Sequence, residues 1–122
     1  MLVAVNLLRP AGLAVVAEAA REEGRDPGDI ESALYVTVTI DDDAHVATRA
    51  QSEYIEAYYE APYDFMKAFQ GCIAGTADTV THRLQEYIDA GARHLVLRPG
   101  TPVGADRQLE RLNEIAARLR AA

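Results

Sequence analysis

A chain of 122 residues has room for one domain of ordinary size, spanning 1–122, and none for a second. At this length about two thirds of the unfolded surface can be buried, so a core forms without staples. With 49% hydrophobic and 25% charged residues the composition excludes wholesale disorder. Twelve Lys and Arg against nineteen Asp and Glu leave a net charge of −7. The basic residues are scattered through helices that also carry acids, which argues against a nucleic-acid partner. The single cysteine, Cys72, closes no intrachain disulfide and supplies no zinc spacing. The opening run MLVAVNLLRP lacks a basic leader and falls far short of the ~20 residues a membrane span needs. The expectation is a cytoplasmic protein with no membrane segment.

Leu2 to Val5 read as a short buried strand. Pro10, with its fixed φ and missing N–H, suits the first position of a helix running to Glu23. That helix carries Leu13, Val16, Ala17 and Ala20 on one stripe and stops at Gly24. Asp26-Pro27-Gly28-Asp29 places Pro and Gly where a type II turn wants them. In the strand ending at Ile40, Leu34, Val36, Val38 and Ile40 alternate with Tyr35, Thr37 and Thr39. Asp41 to Asp43 supply an N-cap for a helix to about Tyr59, with Val46, Ala47, Ala50, Tyr54 and Tyr58 inward.

Pro62 breaks that helix. A short one follows from Tyr63 to Phe69, and Gly71 to Gly75 read as a loop. Thr76 caps a helix with Val80, Leu84, Tyr87 and Ile88 at helical spacing, closed by Gly91. Arg93 to Arg98, apolar at its centre, has the pattern of a parallel strand covered on both faces. After a Pro- and Gly-rich loop, a last helix from Asp106 to about Arg120 buries Leu109, Leu112, Ile115, Ala116 and Leu119, with Glu114 and Arg118 in favourable i,i+4 order. Strands separated repeatedly by helices mean a parallel α/β arrangement.

The stretches AREEGRDPGDIESALYVTVTIDDD and AYYEAPYDFMKAFQGCIAGT, and above all GTADTVTHRLQEYIDAGARHLVLRPGTP, resemble the C-terminal portion of luciferase-like flavin-dependent oxidoreductases. In that family a G-T-P-E-E-V helix ends in D-A-G, and the strand after it ends in an arginine. Gly75, Thr76, Asp78, Val80, Asp89, Ala90, Gly91 and Arg98 match, while Ala77 and Thr79 depart at the helix start. The match runs from about Leu13 to Leu119. The resemblance implies α/β architecture, a partial (β/α)8-barrel-like unit with two or three parallel strands and flanking helices. Glu31 to Ile40 would be the seventh barrel strand and His94 to Arg98 the eighth, with Leu2 to Val5 a remnant of what precedes them. A whole barrel typically needs ~250 residues. The Gly-Gly-Ser-type loop that resembles a flavin phosphate cradle in the family has no counterpart here.

Arg98 stands at the C-terminal end of a strand, the face where barrels place their chemistry, so it is a candidate anion or cofactor ligand; the alternatives are a structural ion pair or an exposed arginine. Gly75 and Thr76 at a helix N-terminus are the second candidate pair, against the reading of Thr76 as an ordinary N-cap. Asp41, Asp43 and His45 suggest a metal loop, but an EF-hand starting at Asp41 would need glycine at Val46 and glutamate at Ser52, so capping is preferred and no metal is expected. His45, His82 and His94 have no partner at ligand spacing. Cys72 reads as a small buried hydrophobe rather than a nucleophile. Tyr54, Tyr58, Tyr59 and Tyr63 make an aromatic corner around Pro62 that suits either a core or the wall of a flavin pocket. No catalytic residue is assigned.

By resemblance, the complete fold uses FMN or a deazaflavin (coenzyme F-420), and the expected activity is that of a flavin- or deazaflavin-dependent oxidoreductase or monooxygenase. This chain is expected to be incomplete as a catalyst alone, with or without cofactor bound by itself, its small-molecule substrate unspecified. The alternative is a non-catalytic homodimeric assembly or small-ligand module derived from that fold. A third reading is a dimeric ferredoxin-like domain with an antiparallel sheet. Because two or three strands cannot close a barrel, a sheet face and two strand edges are expected to lack cover, and a homodimer is expected to supply it.

Overall fold

The computed structural model describes residues 2–4, 10–101 and 104–121. Its elements in chain order are β1 (Leu2–Ala4), α1 (Pro10–Glu22), a 3-10 turn (Pro27–Asp29), β2 (Glu31–Ile40), α2 (Ala44–Tyr59), α3 (Tyr63–Lys67), β3 (Gly71–Gly75), α4 (Ala77–Asp89), β4 (His94–Pro99) and α5 (Ala105–Ala121). All strand pairs are parallel, which removes the antiparallel ferredoxin-like reading.

Strand β2 is the centre of the sheet. It pairs β4 from Ala33↔His94 to Val38↔Pro99 and β3 from Val36↔Gly71 to Ile40↔Gly75. The two pairings overlap on β2, so β3 and β4 lie on opposite edges. β1 pairs Glu31 to Ala33 and overlaps β4 at Ala33, so it shares the β3 edge, ahead of β3. The strands expected to be seventh and eighth are therefore direct neighbours.

Alternation along β2 sorts the two faces. Leu34, Val36, Val38 and Ile40 are fully or almost fully buried in a core with Ile73, Val80, Leu84, Leu112 and Ile115, beneath α4 and α5. A missing wall was expected on either this face or that of Tyr35 and Thr37, and on this one helices of the chain itself supply the cover. The opposite face, with Thr37 and Thr39, is covered by α2 and left open around Tyr35. Gln108 of α5 pins the end of β2, its Oε1 accepting from the Ile40 N–H at 2.9 Å and its Nε2 donating to the Ile40 carbonyl at 2.7 Å.

Several expectations change. Gly71 to Gly75 is strand β3 rather than a loop, because the second half of β2 offers it a free edge. The Asp26 carboxylate accepts from the Gly28 N–H and draws Pro27–Asp29 into a 3-10 turn in place of the type II turn. Strand β4 is an edge strand whose residues are partly exposed, Val96 most among its apolar ones, rather than covered on both faces. On α2 the buried stripe is Ala47, Gln51 and Ile55, while Val46 and Tyr58 are exposed. Leu109 is exposed on α5, and Arg118 reaches Asp78 at 3.5 Å. The side chain of Leu13 and the strand position at Val5 lie outside what is described. No helix among the described residues is long and apolar enough to cross a membrane.

Candidate functional site

The register places Arg98, Thr37 and Cys72 in one row across β4, β2 and β3. Side chains alternate along a strand, so this row shares its face with Tyr35 and Thr39. Over it runs α2, which starts where the Asp43 carboxylate accepts from the His45 and Val46 N–H groups. Tyr54 and Tyr58 are one helical turn apart, which stacks their rings on one side of α2 at 6.0 Å, and Tyr59 meets Tyr58 edge-on at 4.7 Å.

Arg98 sits among these rings. Its Nε and Nη2 donate to the Thr37 hydroxyl at 3.2 and 2.8 Å, and its Nη1 donates to the Tyr59 hydroxyl at 3.2 Å. The guanidinium carbon lies 5.1 to 5.6 Å from the ring centres of Tyr58, Tyr54, Tyr35 and Tyr59, within cation–π range. No carboxylate among the described residues pairs with it, so the structural ion pair considered from the sequence is not what holds it. Burial works against the charged form, but the Tyr59 hydrogen bond and the surrounding Tyr54, Tyr35 and Tyr59 outweigh it and hold the guanidinium above its ordinary value. A guanidinium carries five N–H donors, and the bonds above leave one on each of Nη1 and Nη2. That donor pair, on a cation with no counter-charge, suits a carboxylate or phosphate.

Gln51 supports the row from within. Fully buried, its Nε2 donates to the carbonyls of Thr37 and Ile73 at 3.0 and 2.9 Å and its Oε1 accepts from the Tyr63 hydroxyl. It thereby ties α2 to β2, β3 and α3. Burial first, then Cys72 and Asp64, push the Tyr63 hydroxyl up to about 12, so it stays a donor. Burial also raises the Cys72 thiol against the opposing pull of Arg98 and Lys67, which keeps it protonated and unlike an activated nucleophile. Gly100 closes the row's end: a Cβ there would lie 2.5 Å from Thr37 Cγ2 and 2.7 Å from Thr39 Oγ1.

Gly75 and Thr76 stand elsewhere. Thr76 is the N-cap of α4, its hydroxyl accepting from the Thr79 N–H at 3.3 Å. Gly75 pairs with Ile40, two strands across from Arg98 and three residues further along, a separation of roughly 14 Å. The three candidate cofactor ligands are thus not brought together. Asp41 and Asp43 serve the turn before α2, Asp41 Oδ1 accepting from the Asp43 N–H, and His82 contacts Glu86 along α4. No group of three metal-ligating side chains occurs among the described residues. Sequence reasoning missed Thr37 and Gln51, whose polar side chains carry no motif, and Tyr35, whose place beside Arg98 follows only from the register.

No protein-family model matches the sequence, and neither does any curated protein. Solved structures do match. An F420-dependent secondary alcohol dehydrogenase, solved with an F420-acetone adduct, superposes with a TM-score of 0.72 at 18% identity, over 93% of this chain and 41% of that one. The long-chain alkane monooxygenase LadA gives 0.64 at 14% identity, over 96% of this chain and 36% of the enzyme. The coenzyme F420-dependent tetrahydromethanopterin reductase from Methanopyrus kandleri gives 0.60 at 24% identity, over 91% and 43%. The chain spans about two fifths of the length of these enzymes. Its parallel α/β unit therefore has the fold of part of the luciferase-like oxidoreductases that its sequence resembles.

Proposed function

We propose that the chain is a partial unit of a luciferase-like oxidoreductase or monooxygenase, incomplete as a catalyst alone, and that Arg98 binds the anionic part of its flavin or deazaflavin. The observation that carries this reading is a guanidinium with no carboxylate partner among the described residues, held by Thr37 and Tyr59 among four tyrosines. The donor set fits such a cofactor: two N–H groups for a phosphate or carboxylate, and exposed faces on Tyr35 and Tyr58 for a planar ring. Of the two cofactors, the F420-dependent neighbours favour the deazaflavin. When bound, the cofactor supplies the hydride or oxygen chemistry.

The chain's own residues bind and orient. Thr37 and Tyr59 fix the plane of the guanidinium, the tyrosines of α2 keep water from one side of it, and Gln51 fixes α2 against β2 and β3. Gly75 and Thr76 are too far away to share the same anionic group. The unpaired Cys72 fits a reducing compartment, the cytoplasm.

A fluorescence titration with F420 and with FMN tests the reading. Saturable binding is expected for the chain, with loss of at least tenfold in affinity for Arg98→Met at an unchanged melting temperature, and no turnover by the chain alone. Equal affinity of the variant overturns the assignment of Arg98. Absence of any saturable binding overturns the cofactor reading in favour of a non-catalytic homodimeric module, which the edge of β4, unpaired among the described residues, and the exposed Tyr35 and Val96 also suit.

A further inference from the structure

Apart from the Arg98 row, a cavity of about 260 Å³ lies beyond the C-terminal end of β2. Its floor is Thr39 and Asp41, one wall is Val46 and Ala50 of α2, and the other is Arg107 and Arg111 of α5. Floor and walls all belong to the chain itself, and Arg98 is not part of the lining.

The neutral polar groups here are already engaged. The Thr39 hydroxyl donates to the Gly100 carbonyl at 2.6 Å, and the Gln108 amide, also in the lining, is held by both main-chain groups of Ile40. The two arginines are different. Arg111 is only 20% exposed, yet its Nη2 bond to Asp42 at 2.9 Å uses one of five N–H donors. No buried side-chain nitrogen or oxygen among the described residues lacks a partner, so the donors left over reach open space, and the space that Arg111 lines is this cavity. Arg107, one helical turn earlier on the same side of α5, pairs with no carboxylate among the described residues. Asp41 is the acid of the described lining, and one of its oxygens already accepts from the Asp43 N–H at 2.8 Å.

We propose that this cavity binds a small hydroxylated phosphate ester, its phosphate between Arg107 and Arg111 and its hydroxyl donating to the second oxygen of Asp41. Two guanidinium groups on one helix side call for more than a carboxylate, both of whose oxygens a single arginine can occupy. A phosphate monoester offers three oxygens and a charge of about −2. Size narrows the ligand further. Pockets for drug-sized molecules run roughly 300–1,000 Å³, so this one takes a phosphate with a few carbons and excludes a flavin. Val46 and Ala50 give that short carbon chain an apolar wall. The proposal is independent of the cofactor reading of Arg98.

Calorimetric titration of the 122-residue chain with glycerol 3-phosphate, in the absence of cofactor, tests it, with inorganic phosphate and acetate as comparisons. Saturable binding of glycerol 3-phosphate is expected, severalfold tighter than inorganic phosphate, and none of acetate. Arg107→Gln, at an exposed position, should weaken it by about tenfold or more. Arg118→Gln, which removes the same charge from the same helix, should weaken it by less than about twofold. Asp41→Ala should erase the advantage of glycerol 3-phosphate over inorganic phosphate. No saturable binding, or equal losses in Arg107→Gln and Arg118→Gln, overturns the site. Acetate binding as tightly as the ester, or an advantage that survives Asp41→Ala, overturns the ligand class. Displacement of bound F420 by glycerol 3-phosphate overturns the cavity as a separate site, whereas failure of F420 to bind bears on Arg98 alone.

Discussion

Arg98 donates two of its N–H groups to a single oxygen, the Thr37 hydroxyl, at 3.2 and 2.8 Å across neighbouring strands. Thr37 is almost fully buried, so no water easily stands in for that hydroxyl. Thr37→Val keeps the shape and removes the acceptor. The expected loss is about 1 to 2 kcal/mol, below the upper range for hydrogen bonds to charged groups because Arg98 itself is only partly buried. Urea unfolding measures it, and an unchanged midpoint would show that the paired bonds contribute nothing.

Gly100 leaves no room for a side chain. Gly100→Ala would press a methyl against Thr37 Cγ2 and Thr39 Oγ1, and would strain the 2.6 Å hydrogen bond that the Thr39 hydroxyl donates to the Gly100 carbonyl. The expected destabilisation is about 1 to 3 kcal/mol. A melting temperature equal to that of the parent would count against this packing.

Thr76→Ala removes the acceptor for the Thr79 N–H at the start of α4 and should lower stability by about 0.5 to 2 kcal/mol. Because Thr76 lies far from Arg98, the same variant should leave cofactor affinity unchanged. A fall in both would mean that the helix start and the Arg98 row are linked.

Tyr63 makes stability fall at alkaline pH. Its folded hydroxyl is pushed up to about 12 from the ordinary 10.0, chiefly by burial, so the folded state holds a proton that the unfolded chain has already released. Its contribution is complete below pH 10 and is lost as pH rises through 12. Denaturant unfolding of the chain and of Tyr63→Phe across that window isolates it. The parent should lose stability more steeply, and parallel curves would contradict the buried donor.

The legible part of the fold was the part carried by side-chain periodicity and end signals. The alternation from Leu34 to Ile40 identified β2, and Asp43 and Thr76 cap the helices expected of them. Strand β3 was not legible, because Gly71 and Gly75 resemble turn residues and only pairing with β2 makes them extended. On α2 the stripe slipped because its central buried residue is Gln51, a polar side chain that hydrophobic patterning passes over. Arg98 was visible as a strand-end arginine. Its tyrosine surroundings were not, since they combine a helix, a neighbouring strand and the register between strands.

Gln108 replaces a neighbouring strand at the last residue of β2 by satisfying both main-chain groups of Ile40 from a helix. The Ile40 amide proton is therefore shielded only while α5 is docked. Its exchange with deuterium reports opening of that helix alone, separately from unfolding of the sheet. If α5 lifts before the rest gives way, Ile40 exchanges faster than Val38 beside it. If the two exchange together, helix and sheet open as one unit.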